Sequence, residues 1–188
     1  ETTGHLIDDF HLVNRTLRKS QDEKIMALTK DPYPEILWTG RFLQMKNSRV
    51  ESLYADFRTY MYKGKVVDKL YHLGVDLAAV KRHPVEAANS GIVLYADDLG
   101  IYGNAVLIDH GLGLTTLYSH MSSIDVSVGD RVDKGTVIGR TGATGFAGGD
   151  HLHFGILIHG VPVNPIEWWD RDWVRNRITR KINEINSK

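Results

Sequence analysis

The apolar positions change period twice along the chain. Leu6, Phe10, Val13 and Leu17 recur at helical spacing, so residues 5–28 predict an amphipathic helix that packs by one face. Asp31-Pro32-Tyr33-Pro34 then ends it and reads as a hinge. From about residue 36 to 165, short β-rich runs alternate with Gly, Asp and Asn. The clearest are Gly91–Ala96, Ala105–His110, Thr115–His120 and His151–His159. Val126 to Gly139 alternates apolar residues around two turns and predicts a hairpin unit. After Pro165 the helical period returns, with Val174, Ile178, Ile182 and Ile185 on one face and Trp168, Trp169 and Trp173 near its start. The expected class is mainly β (α+β overall), an antiparallel sheet flanked by N- and C-terminal helices. The expected divisions are an N-terminal helical segment, 1–35, a β domain, 36–170, and a C-terminal helix, 171–188.

Composition narrows the chemistry. The chain has 188 residues, 42% of them hydrophobic, enough for a real core. Lys+Arg and Asp+Glu are both 23, so no basic excess points to nucleic acid. No apolar run approaches the ~18 residues that span a bilayer. The chain starts at Glu1 without a signal-peptide pattern, so any targeting or anchoring segment is expected outside it. There is no cysteine, which leaves His and carboxylate as the available transition-metal ligands.

Two of the nine histidines stand in His151-Leu-His153, and a third in His72-Leu-Gly-Val-Asp76. On a strand, His72, Gly74 and Asp76 would share one face, with Leu73, Val75 and Leu77 on the other. His151, His153, Gly155 and Leu157 would likewise oppose Leu152, Phe154, Ile156 and Ile158. Glycine beside the candidate ligands leaves them unobstructed. Two His and an Asp suit zinc, with a coordination position left over for water. Spacing alone does not say which of His151 and His153 binds. Thr116, Tyr118 and His120 would share a strand face, bringing His120 forward as a further acid or base. His5, His11, His83, His110 and His159 lack such company and read as solvated or structural.

These motifs together resemble the M23 peptidases, the lysostaphin-like zinc endopeptidases that cut peptidoglycan peptides. The resemblance runs from about Asp56 to Trp169. It is carried by Phe57-Arg-Thr-Tyr60, His72-Leu-Gly-Val-Asp76, Ala87-Ala-Asn-Ser-Gly91, Tyr102-Gly-Asn104 and Leu117-Tyr-Ser-His120. Val128-Gly-Asp-Arg-Val-Asp-Lys-Gly135, Gly139-Arg-Thr-Gly-Ala-Thr-Gly145, His151-Leu-His-Phe154 and Val163-Asn-Pro165 complete it. It implies one Zn2+ per chain held by His72, Asp76 and His153, with His120 and His151 as catalytic histidines that do not bind the metal. Tyr118 and Asn104 match positions near the cleft, in substrate-binding or supporting roles. The implied fold is an antiparallel β-sheet groove with carrier-like (duplicated hybrid) hairpins. The 126–139 pattern is also similar to lipoyl carrier hairpins, but Lys134 lacks the flanking methionine of a modified lysine. Many M23 members place Glu where Gly155 stands, which puts a supporting carboxylate there in doubt.

The resemblance implies an enzyme that hydrolyses peptide cross-links or stem peptides of bacterial peptidoglycan during cell-wall remodelling. Its place would be the cell envelope, in the periplasm, anchored by a segment outside this chain. The other reading is a non-catalytic scaffold or activator of other wall enzymes. Residues 1–35 lie outside the resemblance and read as an inhibitory arm or a partner surface. A homodimer, or a heterodimer with an M23-like relative, could form through the terminal helices.

Overall fold

Three contiguous helical segments, Leu6–His11, a π-helical stretch Leu12–Leu17 and Arg18–Leu28, realise the first apolar period. The structure is a computed structural model and describes residues 4–186; the outermost residues of both terminal segments lie outside these. Buried residues in this helical run are Asn14 and Ile25, so it meets the body largely through polar and half-buried side chains.

Thirteen strands follow among the described residues: β1 (Arg49–Ser52), β2 (Phe57–Tyr62), β3 (Lys65–Tyr71), β4 (Val75–Ala78), β5 (Pro84–Glu86), β6 (Gly91–Asp98), β7 (Asn104–Asp109), β8 (Leu114–Met121), β9 (Ser123–Ile124), β10 (Arg131–Val132), β11 (Val137–Arg140), β12 (Leu152–Ile158) and β13 (Val161–Val163). The main sheet has eight strands in the order β1-β4-β12-β8-β7-β6-β10, with β13 paired to β12. β5-β11-β9 form a second sheet, and β2-β3 a hairpin of their own. Every pairing is antiparallel.

The 126–139 stretch departs from the expected hairpin. Its strands β10 and β11 do not pair with each other: β10 closes the edge of the main sheet against β6, while β11 joins β5 and β9. Alternation predicts that such a stretch has a buried face, but not which neighbour completes its hydrogen bonds.

Alternation on the central strands places two cores on opposite faces of the main sheet. Leu152, Phe154 and Ile156 join Val75, Leu77, Val106, Ile108 and Tyr118 on one face. Leu157 joins Leu107, Leu117, Tyr102 and Ile25 on the other, where the N-terminal helix covers the sheet. At the chain's end, Trp168 packs edge-on against Trp38 and Phe42, and Trp169 stacks on Phe154 with ring centroids 5.9 Å apart. These tryptophans are therefore core anchors. Val174 is buried beside them, whereas Ile185 is 72% exposed and stands off the packed face.

Candidate metal centre

β4 and β12 are hydrogen-bonded neighbours in a register that sets His153 directly opposite Asp76. The pair therefore projects from one face of the sheet. His72 reaches the same point from just before β4. It lies in the turn leaving β3, so strand alternation does not position it. The backbone does: His72 N donates to Asp56 O and Ala55 N to His72 O. The three side chains are 5%, 9% and 7% exposed for His72, Asp76 and His153, buried enough that an unpaired charge would be costly.

Their ligand atoms converge. His72 Nε2 and His153 Nδ1 are 3.0 Å apart, and each is 3.0 Å from Asp76 Oδ1. Tetrahedral zinc with bonds of ~2.05 Å separates its ligands by about 3.3 Å, so this donor triangle fits the ion after a small outward relaxation. The donor chemistry fits as well. His72 Nδ1–H donates to Leu53 O at 2.9 Å, which fixes the tautomer and turns the Nε2 lone pair to the site. Asp76 is pushed up by burial, but hydrogen bonds and charges from His153 and His72 outweigh this and hold it well below the usual carboxylate range. Burial lowers His153, against the opposing pull of Asp76.

Gly74 makes the approach of His153 possible. A Cβ there would lie 2.6 Å from His153 Cε1 and 2.7 Å from Phe154 O, so any side chain would push the imidazole away. Gly155 has a different role: a Cβ there would meet Leu117 at an ordinary 3.5 Å. It opens onto a small apolar cavity beside Leu73, Leu117 and Leu157, under the N-terminal helix.

His120 reaches the site through a break in strand alternation. Tyr118 opposes Phe154 across β8 and β12 and lies in the core on the face away from His153. His120 would follow it there, but its backbone is left-handed at φ 62°. That conformation is uncommon for a non-glycine residue and strains the chain. It turns the ring to within 4.8 Å of His151 and 6.0 Å of His153, centroid to centroid. The expectation that Tyr118 and His120 share a face is thus corrected. His120 is at the site, and Tyr118, 1% exposed, is a core residue whose hydroxyl accepts from Ala88 N at 2.7 Å.

The two additional histidines are each oriented by a backbone carbonyl. His120 Nδ1–H donates to Thr144 O at 2.9 Å, and His151 Nδ1–H to Gly149 O at 2.8 Å. Both present Nε2 to the cleft; His151 Nε2 is 3.7 Å from Asp76 Oδ1. Burial, reinforced by His153, lowers His120 to about 4, so its ring is neutral at pH 7. Asn104 acts through this arrangement with its backbone: Asn104 N donates to Thr144 Oγ1 at 2.9 Å, and Thr144 carries the carbonyl that holds His120. The loop fits there because Gly103 and Gly145 pack backbone to backbone, both at positive φ, leaving no room for a Cβ on either.

Two arginines complete the cleft. Arg58 Nη2 donates to Asp76 Oδ2 at 2.7 Å and to Ser52 Oγ at 2.9 Å, occupying the carboxylate oxygen turned away from the histidines. Its signal in the sequence was the Phe57-Arg-Thr-Tyr60 motif. Arg18, on the N-terminal helix, lines the same cleft of ≈ 170 Å3 with His72, His120 and His151, and no sequence pattern singled it out. His110, by contrast, is fully buried and far from this chemistry, held by Ser90 O at 2.7 Å and Thr116 Oγ1 at 2.8 Å.

Comparison with known proteins agrees with this geometry. Residues 70–165 match peptidase family M23. The DD-carboxypeptidase/endopeptidase Mpg of Neisseria meningitidis is 44% identical over 95 residues, which cover 50% of this chain and 22% of that protein. The match thus takes in about a fifth of that relative's length. A zinc containing peptidase from Vibrio cholerae superposes with a TM-score of 0.60 at 30% identity, covering 70% of this chain and 40% of that one. The SpoIIQ–SpoIIIAH pore forming complex contains a chain that superposes with a TM-score of 0.62 at 26% identity, covering 74% of this chain and 99% of that one. With the family match spanning half the sequence and the buried His/Asp/His triangle inside it, the chain belongs to peptidase family M23.

Proposed function

We propose that the protein is a zinc-dependent endopeptidase of bacterial peptidoglycan, acting in the cell envelope on cross-links or stem peptides. The observation that carries this reading is the convergence of His72 Nε2, Asp76 Oδ1 and His153 Nδ1 at 3.0 Å, with His120 and His151 beside them. His72, Asp76 and His153 would hold the ion. Zinc, when bound, supplies Lewis-acid polarisation of a carbonyl and acidifies water. The chain's own groups do the rest. Neutral His120 offers a bare Nε2 that takes the proton of the attacking water as its oxygen bonds to the carbonyl carbon. The proton then passes to the leaving amine nitrogen as the C–N bond breaks. His151, beside His120, would place its Nε2 next to the developing oxyanion. Arg58 occupies Asp76 Oδ2 and so aims the carboxylate by its other oxygen. Asn104 supports His120 through Thr144, and Tyr118 supports the strand from beneath.

The test is digestion of purified cross-linked murein by zinc-loaded protein, beside His120→Ala. New peptide termini from the wild type alone, with equal zinc in both proteins, support the proposal. Equal zinc and no cleavage by either would reject it. The similarity to a chain in the SpoIIQ–SpoIIIAH complex favours one second reading, a scaffold that binds partners without hydrolysis. That reading requires His120→Ala to keep its function in cells.

A further inference from the structure

The N-terminal helix does more than cover the sheet. Phe10 lies 5.2 Å from the ring of Tyr60 on the β2–β3 hairpin and 6.4 Å from that of Phe146 on the opposite rim. The helix therefore bridges both walls of the cleft. On the same helix Arg18, the residue following the π-helical stretch, enters the cleft lining. π-Helical turns are rare and tend to occur at functional sites.

The Arg18 guanidinium is held in place from behind. Nε donates to Asn14 O at 3.3 Å and Nη2 to Asn14 Oδ1 at 3.2 Å. Asn14 is fully buried and its own amide donates to Asp68 Oδ2 at 3.0 Å. Arg15 clamps both oxygens of Asp68, each at 3.1 Å, which ties the helix to β3. Asp22, four residues further along the helix, accepts from the Tyr102 hydroxyl at 2.7 Å and also feels the charge of Arg18. No carboxylate among the described residues pairs directly with Arg18, although it hydrogen-bonds Tyr102 and its charge acts on Asp22, whereas Arg58 pairs directly with Asp76. A preorganised guanidinium with no direct carboxylate partner, lining a polar cleft, is suited to a carboxylate.

We propose that Arg18 is a specificity-determining residue that binds a carboxylate carried on the carbon attached to the scissile amide nitrogen. This rests on the peptidase reading above and narrows its substrate. Two peptidoglycan bonds share that chemistry: a terminal D-Ala–D-Ala and a cross-link from D-Ala to the D-centre of diaminopimelate. In both, the carbon bonded to the leaving nitrogen carries a free carboxylate. A glycine bridge has none there.

The experiment uses zinc-loaded full-length protein, wild type, Arg18→Ala and Arg18→Lys. Four substrates are compared: a stem peptide ending in D-Ala–D-Ala as free acid, the same peptide as C-terminal amide, a D-Ala–diaminopimelate cross-linked dimer, and a glycine-bridged peptide. The wild type should show a KM for the acid about ten-fold or more below that for the amide, the size of one charge-assisted hydrogen bond. Arg18→Ala should raise the acid's KM to the amide's level with kcat, zinc content and melting temperature little changed, and Arg18→Lys should restore part of the preference. The free-acid and dimer arms distinguish a chain terminus from a cross-link. Equal use of acid and amide by the wild type would overturn the proposal. So would faster turnover by Arg18→Ala, which would make the helix only an obstruction. If no substrate is cleaved, the peptidase reading fails separately, and calorimetric binding decides. Tighter binding of the acid that Arg18→Ala abolishes supports carboxylate recognition; equal or absent binding of both forms overturns it.

Discussion

Arg58 Nη2 stands 2.7 Å from Asp76 Oδ2, on the one oxygen that the two histidines leave free. A buried carboxylate with three basic neighbours can hold a metal by one oxygen only if the other is satisfied elsewhere. Arg58→Ala removes that partner while leaving β2 folded, since the side chain is 39% exposed. Zinc affinity, read by competition with a chelator, should fall by about ten- to a hundred-fold, as for other partners that orient metal ligands. Arg58→Lys should recover part of the loss. Unchanged affinity would show that Asp76 needs no such support.

Gly74→Ala tests the close approach of His153. The added Cβ would meet the imidazole at 2.6 Å and the Phe154 carbonyl at 2.7 Å, so the ring must move. Zinc content after reconstitution should drop well below that of the wild type, with cleavage lost in proportion. Gly155→Ala is the control: its Cβ meets only ordinary contacts, and zinc binding should be retained.

Tyr118 and His120 should separate cleanly. Tyr118→Phe strips Ala88 N of its hydrogen-bond acceptor in the core. Stability should fall by about 1–3 kcal/mol in denaturant unfolding, with zinc affinity and KM unchanged. His120→Ala should show the reverse pattern, with zinc retained and turnover lost.

How much of this was legible in the sequence follows from the same residues. Asp76 and His153 were readable because both sit on regular strands, where alternation determines the face. The opposed faces of β12 were readable for the same reason. His72 was placed by its motif rather than by parity, because it precedes β4. His120 and Tyr118 defeated the period-2 rule: a single left-handed residue reverses the face, and nothing in Leu117-Tyr-Ser-His120 signals positive φ. Arg18 could not be found from its neighbours, because its relation to the cleft depends on how a helix from outside the family match crosses the sheet. The 126–139 pairing failed for a similar reason, since register with distant strands is a tertiary property.

Metal removal has a thermodynamic signature independent of substrate. An ion bound only by the folded state stabilises it in proportion to the logarithm of one plus its concentration over Kd, by about 2.7 kcal/mol at a hundred-fold excess over Kd. Chelation should therefore lower the melting temperature, and zinc should restore it. Asp76→Ala should melt at the same temperature with or without zinc.

Acid should destabilise the fold through His110. Burial lowers this imidazole to about 4, while Ser90 O pulls the other way. An unfolded histidine titrates near ~6.5. Between those values the unfolded chain binds a proton that the folded chain refuses, so stability rises with pH. The contribution is complete above about 6.5 and lost as pH falls towards 4. Urea midpoints measured from pH 7 to 4 should decline more steeply for the wild type than for His110→Gln. Parallel curves would contradict the assignment.

The most direct test is mass spectrometry of the termini released from purified cross-linked murein by zinc-loaded protein, with zinc measured in the same sample. About one zinc per chain, new amino and carboxyl termini at a stem or cross-link bond, and their loss in a zinc-replete His120→Ala protein are the predicted result. Full zinc occupancy with intact murein would contradict it.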